Sequence, residues 1–409
     1  MRFNKEQMAY LEENMGKTIL PFSNFENKIR LGTEPIEVLL YYKKDWTPQQ
    51  YFEAFVKAAN HYNLFSSRII RIDDDKYALH YCTDGVQLHV LPPIDETFDK
   101  INVEDIKKKI AKVKTLPGEP LLSLTLIKLK DGSLGGVSCS HAVCDGIIFI
   151  LFLSLWGCFI EGNDLPIPSK QRLFTGKPIS SDKIDKIFSP PLSELSDEIK
   201  ERLKSADEKI YTKREYFPDE LLEEIKKKAK LENEKYNISN NQIINALILK
   251  NYHKQMLPNA DRIRLRTPIN LRDVHPDIDS LYLGNAYFDS IAEFATDEMD
   301  KLSIYEIAYR LKKSIAVMRD VEYIKRIASL SKYGIQLKSD LIENYSLYNI
   351  DTDMISANLA HLNDIATLGL PDEKGKFLYV TTPVHTGFVV LKKTGGEIFA
   401  DITSRFPFK

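Results

Sequence analysis

The stretch Gly118–Gly146 reads GEPLLSLTLIKLKDGSLGGVSCSHAVCDG, and its pattern organises the rest of the chain. Leu122, Leu124, Leu126 and Lys128 alternate with Ser123, Thr125, Ile127 and Leu129, the period of a strand with one face well buried. Asp131-Gly132 is a tight-turn signal, and Leu134 to Ser140 returns as a second strand. His141 therefore stands at a strand end. Directly after Asp145-Gly146 comes Ile147 to Ile160, IIFILFLSLWGCFI, an almost wholly apolar run. It is shorter than the roughly 18–20 residues of a membrane span, so the expectation is a helix buried on most sides, stopped near Gly162 and Asn163.

Working outward, Pro48 to Ala59 has helical periodicity, with Tyr51, Phe55, Val56 and Ala59 on one face. Strands are expected at Ser67–Arg71, Tyr77–Tyr81 and Val86–Val90, parted by Asp73–Asp75 and by Asp84-Gly85. A charged helix is expected from Val103 to Val113. In the second half, Pro218 opens a helix with acids at its positive end, and Ser239–Gln242 is a capping box before another, Gln242 to His253. A strand at Arg262–Pro268, a helix at Ser303–Met318 and strands at Phe377–Thr382, Gly387–Lys392 and Glu397–Ile402 follow. The 409 residues exceed one comfortable core. Two subdomains are expected, 1–180 and 211–409, joined by a Pro-, Ser- and Lys-rich crossover at 181–210.

Composition excludes several classes. With 56 Lys and Arg against 58 Asp and Glu, the net charge is −2, which argues against a nucleic-acid partner. Any anionic ligand has to be met by a local basic cluster. The four cysteines, Cys82, Cys139, Cys144 and Cys158, form no zinc-spaced set with the eight histidines, so no metal is expected. They read as thiols of a reducing compartment. The charged N-terminus carries no apolar signal core, and a cytoplasmic monomer without a transmembrane segment is the expectation.

His141-Ala-Val-Cys-Asp145-Gly146 has the form HxxxDG. A neutral imidazole at a strand end, with an ordinary pKa near 6.5, is suited to take a proton near neutrality. Asp145 on the same turn can fix the backbone or pair with a base, and Gly146 would remove a Cβ where the chain reverses. Six-residue patterns also arise by chance, and a histidine beside an Asp-Gly turn is commonly structural.

Together with its surroundings the motif resembles the coenzyme A-dependent acyltransferase superfamily of chloramphenicol acetyltransferase, carnitine acyltransferases and peptide-synthetase condensation domains. The likeness is closest to the BAHD acyltransferases known from plant specialised metabolism. Tyr62–Arg68, Pro120-Leu-Leu with Leu124–Leu129, Phe152, Trp156 and Gly162 are similar to the family pattern. So are Lys170-Gln-Arg172, Ile269-Asn-Leu-Arg272 and Leu283-Gly-Asn285, all in the family's order. In place of the late DFGWG motif stands Asp364-Ile-Ala-Thr-Leu-Gly369, without its Phe and Trp, which points to a divergent member.

The resemblance implies an α/β (α+β) fold of two similar chloramphenicol acetyltransferase-like subdomains, each a mixed sheet flanked by helices, with the active site in a tunnel between them. It implies transfer of an acyl group from acyl-CoA, as co-substrate, to a hydroxyl or amine of a small acceptor, with no permanently bound cofactor. His141 would be the general base. Asp145, facing away from substrate, would pair with Arg272. Ser356 and Asn358 stand near a family segment that lines the active site; they are oxyanion candidates, or residues that only cap a strand. Coenzyme A phosphates suggest Arg262, Arg264 and Arg266, which alternate along one strand face and read either as a phosphate stripe or, slightly preferred, as a solvated face. Lys250 and Lys254, one helical turn apart, carry the same two readings. Cys144 inside the motif raises a covalent acyl-enzyme, but packing within the turn favours direct transfer in a ternary complex. Two alternatives stand beside this reading: a carrier-protein-dependent condensation enzyme of the same fold, and a catalytically silent binder.

Overall fold

The computed structural model describes residues 5–22, 34–43, 47–73, 76–163, 177, 197, 209–272, 274–275, 278–280, 282–324, 349–360, 376–380, 387–394 and 396–409. Lys170-Gln-Arg172, most of the expected crossover at 181–210 and Asp364–Gly369 lie outside the described residues.

The first elements in chain order are α1 (Lys5–Asn14), β1 (Ile19–Pro21), β2 (Ile36–Tyr42), α2 (Pro48–His61), β3 (Ser67–Asp73), β4 (Lys76–Tyr81) and β5 (Val86–Val90). Then come α3 (Val103–Lys107), β6 (Leu122–Lys128), β7 (Ser133–Cys139) and α4 (Gly146–Ile160). The second half contributes β8 (Tyr211–Phe217), α5 (Asp219–Glu232), α6 (Asn240–Met256), β9 (Arg262–Asn270), β10 (Tyr287–Ala295), α7 (Thr296–Met299) and α8 (Ile304–Val317). It ends with β11 (Asp353–Asn358), β12 (Lys376–Val380), β13 (Phe388–Thr394) and β14 (Glu397–Ser404). Two compact units result. One holds Met1–Ser205, Asp279–Ala286 and Asn363–Thr381; the other holds Ala206–Ile278, Tyr287–Leu362 and Thr382–Lys409.

The first unit is built on a mixed sheet of order β12-β2-β7-β6-β5, in which only β5 and β6 run parallel. A second, three-stranded sheet has the order β1-β4-β3. Alternation sorts the β7 neighbourhood into two faces. Val38, Leu40, Leu122, Leu124, Leu126, Val137 and Cys139 pack with α2 and α4 in one core. That core includes Phe55, Phe152 and the fully buried Trp156, whose indole N–H donates to the Tyr51 carbonyl at 3.0 Å. Leu39, Tyr41, Ile127 and Leu134 form the opposite face with Ile106 and Ile110. Gly136 permits that second contact, since a Cβ there would lie 2.8 Å from Ile110 Cγ1.

Two expectations change here. The alternation in β6 suggested one buried face, yet Ser123 and Thr125 are buried too. The expected helix to Val113 also stops at Lys107. Both changes share a cause. The chain beyond α3 exchanges helical bonds for bonds to strand hydroxyls: Ala111 N donates to Thr125 Oγ1 at 3.0 Å and Val113 N to Ser138 Oγ at 3.1 Å. Ser123 Oγ donates to the Ala111 carbonyl at 2.6 Å.

The second unit carries a sheet of order β10-β9-β11-β13-β14-β8, with β11 parallel to both neighbours. One face, including Ile263, Leu265, Met354, Val389, Leu391, Ala400 and Ile402, packs with α6 and α8. Ser239 and Ser303 cap those two helices through complete capping boxes. Among the described residues no helix is long and apolar enough to cross a membrane.

Candidate active site

The turn at His141 is a product of the strand before it and the helix after it. β7 lies between β2 and β6, and its last residue, Cys139, is paired with Ile36 on one side and Leu122 on the other. Ser140 N then donates to the Leu121 carbonyl at 2.8 Å. The Ser140 hydroxyl accepts from Ala142 N at 3.2 Å and lies 3.0 Å from Thr115 Oγ1, which fixes the chain as it leaves the sheet. His141 is half-buried, whereas Ala142, Val143 and Cys144 turn inward. Cys144 Sγ sits 3.5 Å from Cys139 Sγ inside the apolar core. Both thiols are fully buried, a poor setting for a nucleophile that has to be reached by a thioester.

Asp145 is the N-cap of α4 and is itself buried. Its carboxylate accepts two backbone N–H groups. Oδ1 takes Ile148 N at 3.1 Å, satisfying a donor that the helix start leaves open, and Oδ2 takes Ala286 N at 2.9 Å. The preceding residue, Asn285, donates its amide to the carbonyls of His141 at 2.8 Å and of Ala142 at 3.2 Å. Residues 279–286 belong to the same unit as the motif, although they lie some 140 positions away in sequence. Gly284, at φ +117°, supplies the left-handed backbone that leads into Asn285.

The role expected of Gly146 is corrected. A Cβ built there meets nothing within 4 Å and its φ is not positive, so the turn itself does not demand glycine. The reversal is made by residues 141–145, and Gly146 is already the first helical residue.

Glu37 is a titratable group that the sequence did not single out. It stands across from Ser138 in the β2–β7 ladder, buried, with Lys112 Nζ at 3.5 Å. Burial pushes its carboxyl up to about 7, against the opposing pull of Lys112.

The remaining candidates belong to the second unit. Arg262 is exposed, 3.9 Å from Glu293. Arg264 and Arg266 are buried, which overturns the solvated-face reading for both. Their Nε groups donate to the two oxygens of the wholly buried Asp353, at 2.7 and 2.6 Å. The reason is topological: β11 lies parallel beside β9 with Asp353 opposite Arg264, a pairing across about 90 residues that no local pattern announces. Lys250 donates to the carbonyls of Met299, Asp300 and Leu302, at the end of α7. Lys254 pairs with Asp300 at 2.5 Å. Arg272 is buried and donates to Asn270 Oδ1 at 3.1 Å. Asn358 is exposed and accepts from Ala360 N at 3.0 Å, so it caps the end of β11. Ser356 is buried on the same side of β11 as Met354, and its hydroxyl has no hydrogen-bond partner. Among the described residues no group of His, Cys, Asp and Glu could hold a metal ion.

The sequence matches the Transferase family over residues 55–353. No curated protein matches it by sequence. Among solved structures, TRI101 of F. sporotrichioides, complexed with coenzyme A and T-2, is similar with a TM-score of 0.68 at 15% identity, covering 94% of this chain and 95% of that one. Vinorine synthase gives 0.65 at 15% identity, with 97% and 93% covered. The first condensation domain of the CDA synthetase gives 0.54 at 12% identity, with 98% and 90% covered. At these identities the structural likeness speaks for the fold, a two-domain arrangement of mixed sheets and helices of the chloramphenicol acetyltransferase type.

Proposed function

The chain belongs to the Transferase family of BAHD-type, coenzyme A-dependent acyltransferases, and from that membership we propose that it moves an acyl group from acyl-CoA to a hydroxyl or amine of a small acceptor with His141 as general base. The observation that carries this reading is the half-buried His141, held at the end of a central strand on a turn tied down at both ends. An imidazole with a fixed backbone and a partly open ring supports the reading of a general base.

In this mechanism a ring nitrogen of His141 takes the acceptor proton as the acceptor oxygen or nitrogen bonds to the thioester carbonyl carbon. The tetrahedral oxyanion collapses, the C–S bond breaks, and the imidazolium returns its proton to the leaving thiolate. Asp145 works on the backbone, through Ile148 N–H and Ala286 N–H. Ser356, with an uncommitted buried hydroxyl, is the donor carried forward for the oxyanion. Of the basic candidates for the coenzyme A phosphates, Arg262 is the exposed one whose ion pair is longest, with Glu293 at 3.9 Å. The buried Cys144 favours direct transfer over an acyl-enzyme.

The test is release of coenzyme A thiol from a panel of acyl-CoAs with hydroxylated and amine acceptors. Turnover that falls by ~10²–10⁴-fold in His141→Ala supports the proposal. Turnover from a loaded carrier protein, with silence toward every acyl-CoA, would establish the condensation alternative. Binding of an acceptor without any turnover would establish the silent one, and a stable acyl adduct on Cys144 would replace direct transfer.

A further inference from the structure

The strap formed by Gly284, Asn285 and Ala286 grips the catalytic turn in a way that capping a helix does not require. Ala286 N–H anchors the strap, through Asp145, to the helix end of the turn. Asn285 reaches the other end, and its amide nitrogen meets two successive carbonyls, those of His141 and Ala142. Consecutive residues of one strap thus hold both ends of the five-residue turn 141–145. The amide can face the turn in only one sense, because the reversed orientation would set its oxygen against two carbonyl oxygens. In the favoured sense Oδ1 is buried and has no hydrogen-bond partner. That is an expense a purely structural asparagine would avoid.

What the grip controls is the peptide plane between His141 and Ala142. On the other side, the chain is set by the ladder at Cys139 and by the Ser140 N–H bond to Leu121. With the planes before and after His141 both held, the direction of its Cα–Cβ bond is determined. The strand and the strap together decide where the imidazole can go.

We propose that Asn285 is a positioning residue for His141, its side-chain amide holding the His141–Ala142 peptide so that the imidazole meets the acceptor. This rests on the reading of His141 as the base, and it locates part of the site's precision in a residue that touches no reacting atom. Misplacing a catalytic group by about an ångström is sufficient to lose on the order of 10²-fold in rate.

The experiment compares wild type, Asn285→Ala, Asn285→Asp and His141→Ala as the full chain, in two readouts. The first is steady-state thiol release across pH. Asn285→Ala is expected to lower kcat by about 10–100-fold while KM for acyl-CoA moves by less than about threefold. Asn285→Asp keeps the shape but sets a carboxylate against two carbonyls, which raises its own pKa. Once protonated it regains one donor, so the activity ratio of Asn285→Asp to Asn285→Ala is expected to rise as pH falls. The second readout is the His141 ring signal in NMR spectra of histidine-labelled protein, identified by its disappearance in His141→Ala.

Movement or broadening of that signal in Asn285→Ala, together with the fall in kcat, supports the proposal. An unchanged ring signal, or a kcat within about twofold of wild type, overturns it. Wild-type turnover in His141→Ala would instead sink the base reading, and the NMR arm would still decide whether Asn285 places the ring. Should Asn285→Ala fail to fold, the isosteric Asn285→Asp carries both readouts by itself, compared above and below its own titration.

Discussion

Two buried titratable groups of the first unit, His80 and Glu37, act on stability in opposite senses. His80 is wholly buried, with Nε2 2.7 Å from the Tyr10 hydroxyl and Nδ1 3.8 Å from Cys82 Sγ. Burial lowers its pKa to about 4, so it stays neutral in the fold while the unfolded chain takes up a proton near 6.5. Between those values the unfolded state binds more protons, and His80 therefore makes stability fall as pH drops from 6.5 to 4. Glu37 acts in the opposite sense. With its carboxyl raised from 4.5 to about 7, the fold retains a proton the unfolded chain has released, and stability falls as pH rises across that window. Each shift is worth on the order of 3 kcal/mol. Glu37→Gln is expected to remove the decline between pH 4.5 and 7, and His80→Gln to flatten the acid-side decline; urea melts from pH 4.5 to 8 check both slopes. Ser356 offers a sharper contrast at the same scale. Removing a buried hydroxyl without a partner should leave stability unchanged or raise it, whereas an oxyanion donor is worth ~10²–10³ in kcat. Ser356→Ala is expected to keep its melting temperature and lose rate; unchanged kcat removes Ser356 from the mechanism.

At the scale of elements, β7, the turn and α4 depend on one carboxylate. Asp145 closes the first turn of α4 and holds Ala286 N–H, both in buried surroundings. Loss of a cap costs about 1 kcal/mol, and a stranded buried N–H adds ~1–3 kcal/mol. Asp145→Ala is expected to lower stability by about 2–4 kcal/mol and to reduce the yield of folded protein together with activity. Asp145→Asn keeps one acceptor and should fall between Ala and wild type. Full folding of Asp145→Ala with no turnover would show instead that the carboxylate acts chemically. The arginines of β9 teach the same lesson about elements. An i, i+2 pattern states which side chains share a face, and the neighbouring strand decides whether that face meets water or Asp353.

At the scale of the whole chain, the first unit is not a contiguous piece of sequence. β12 pairs antiparallel with β2 and completes one edge of its sheet, and Asn285 and Ala286 hold the turn at His141. A fragment ending at Ser205 has neither. It would expose the edge of β2 and release the grip on His141, and an unprotected strand edge invites aggregation. Residues 1–205 expressed alone are therefore expected to aggregate or to give a poorly dispersed NMR spectrum beside the full chain. A well-dispersed spectrum from the fragment would show that the returning segments are dispensable to folding.

Local pattern was enough to determine much of this protein. Alternation in β6, the apolar run of α4 and the capping box at Ser239 were legible because period and capping act within a few residues. The HxxxDG turn and the family were legible for a related reason, since ordered short motifs survive at identities where little else does. What the tertiary structure decided is every pairing made across long separations. It joined Asp353 to two arginines, moved Glu37 beside Ser138, sent β12 back to the first sheet and laid Asn285 against His141. Such pairings leave no period and no spacing in the sequence, because they depend on which surfaces meet once the cores have formed.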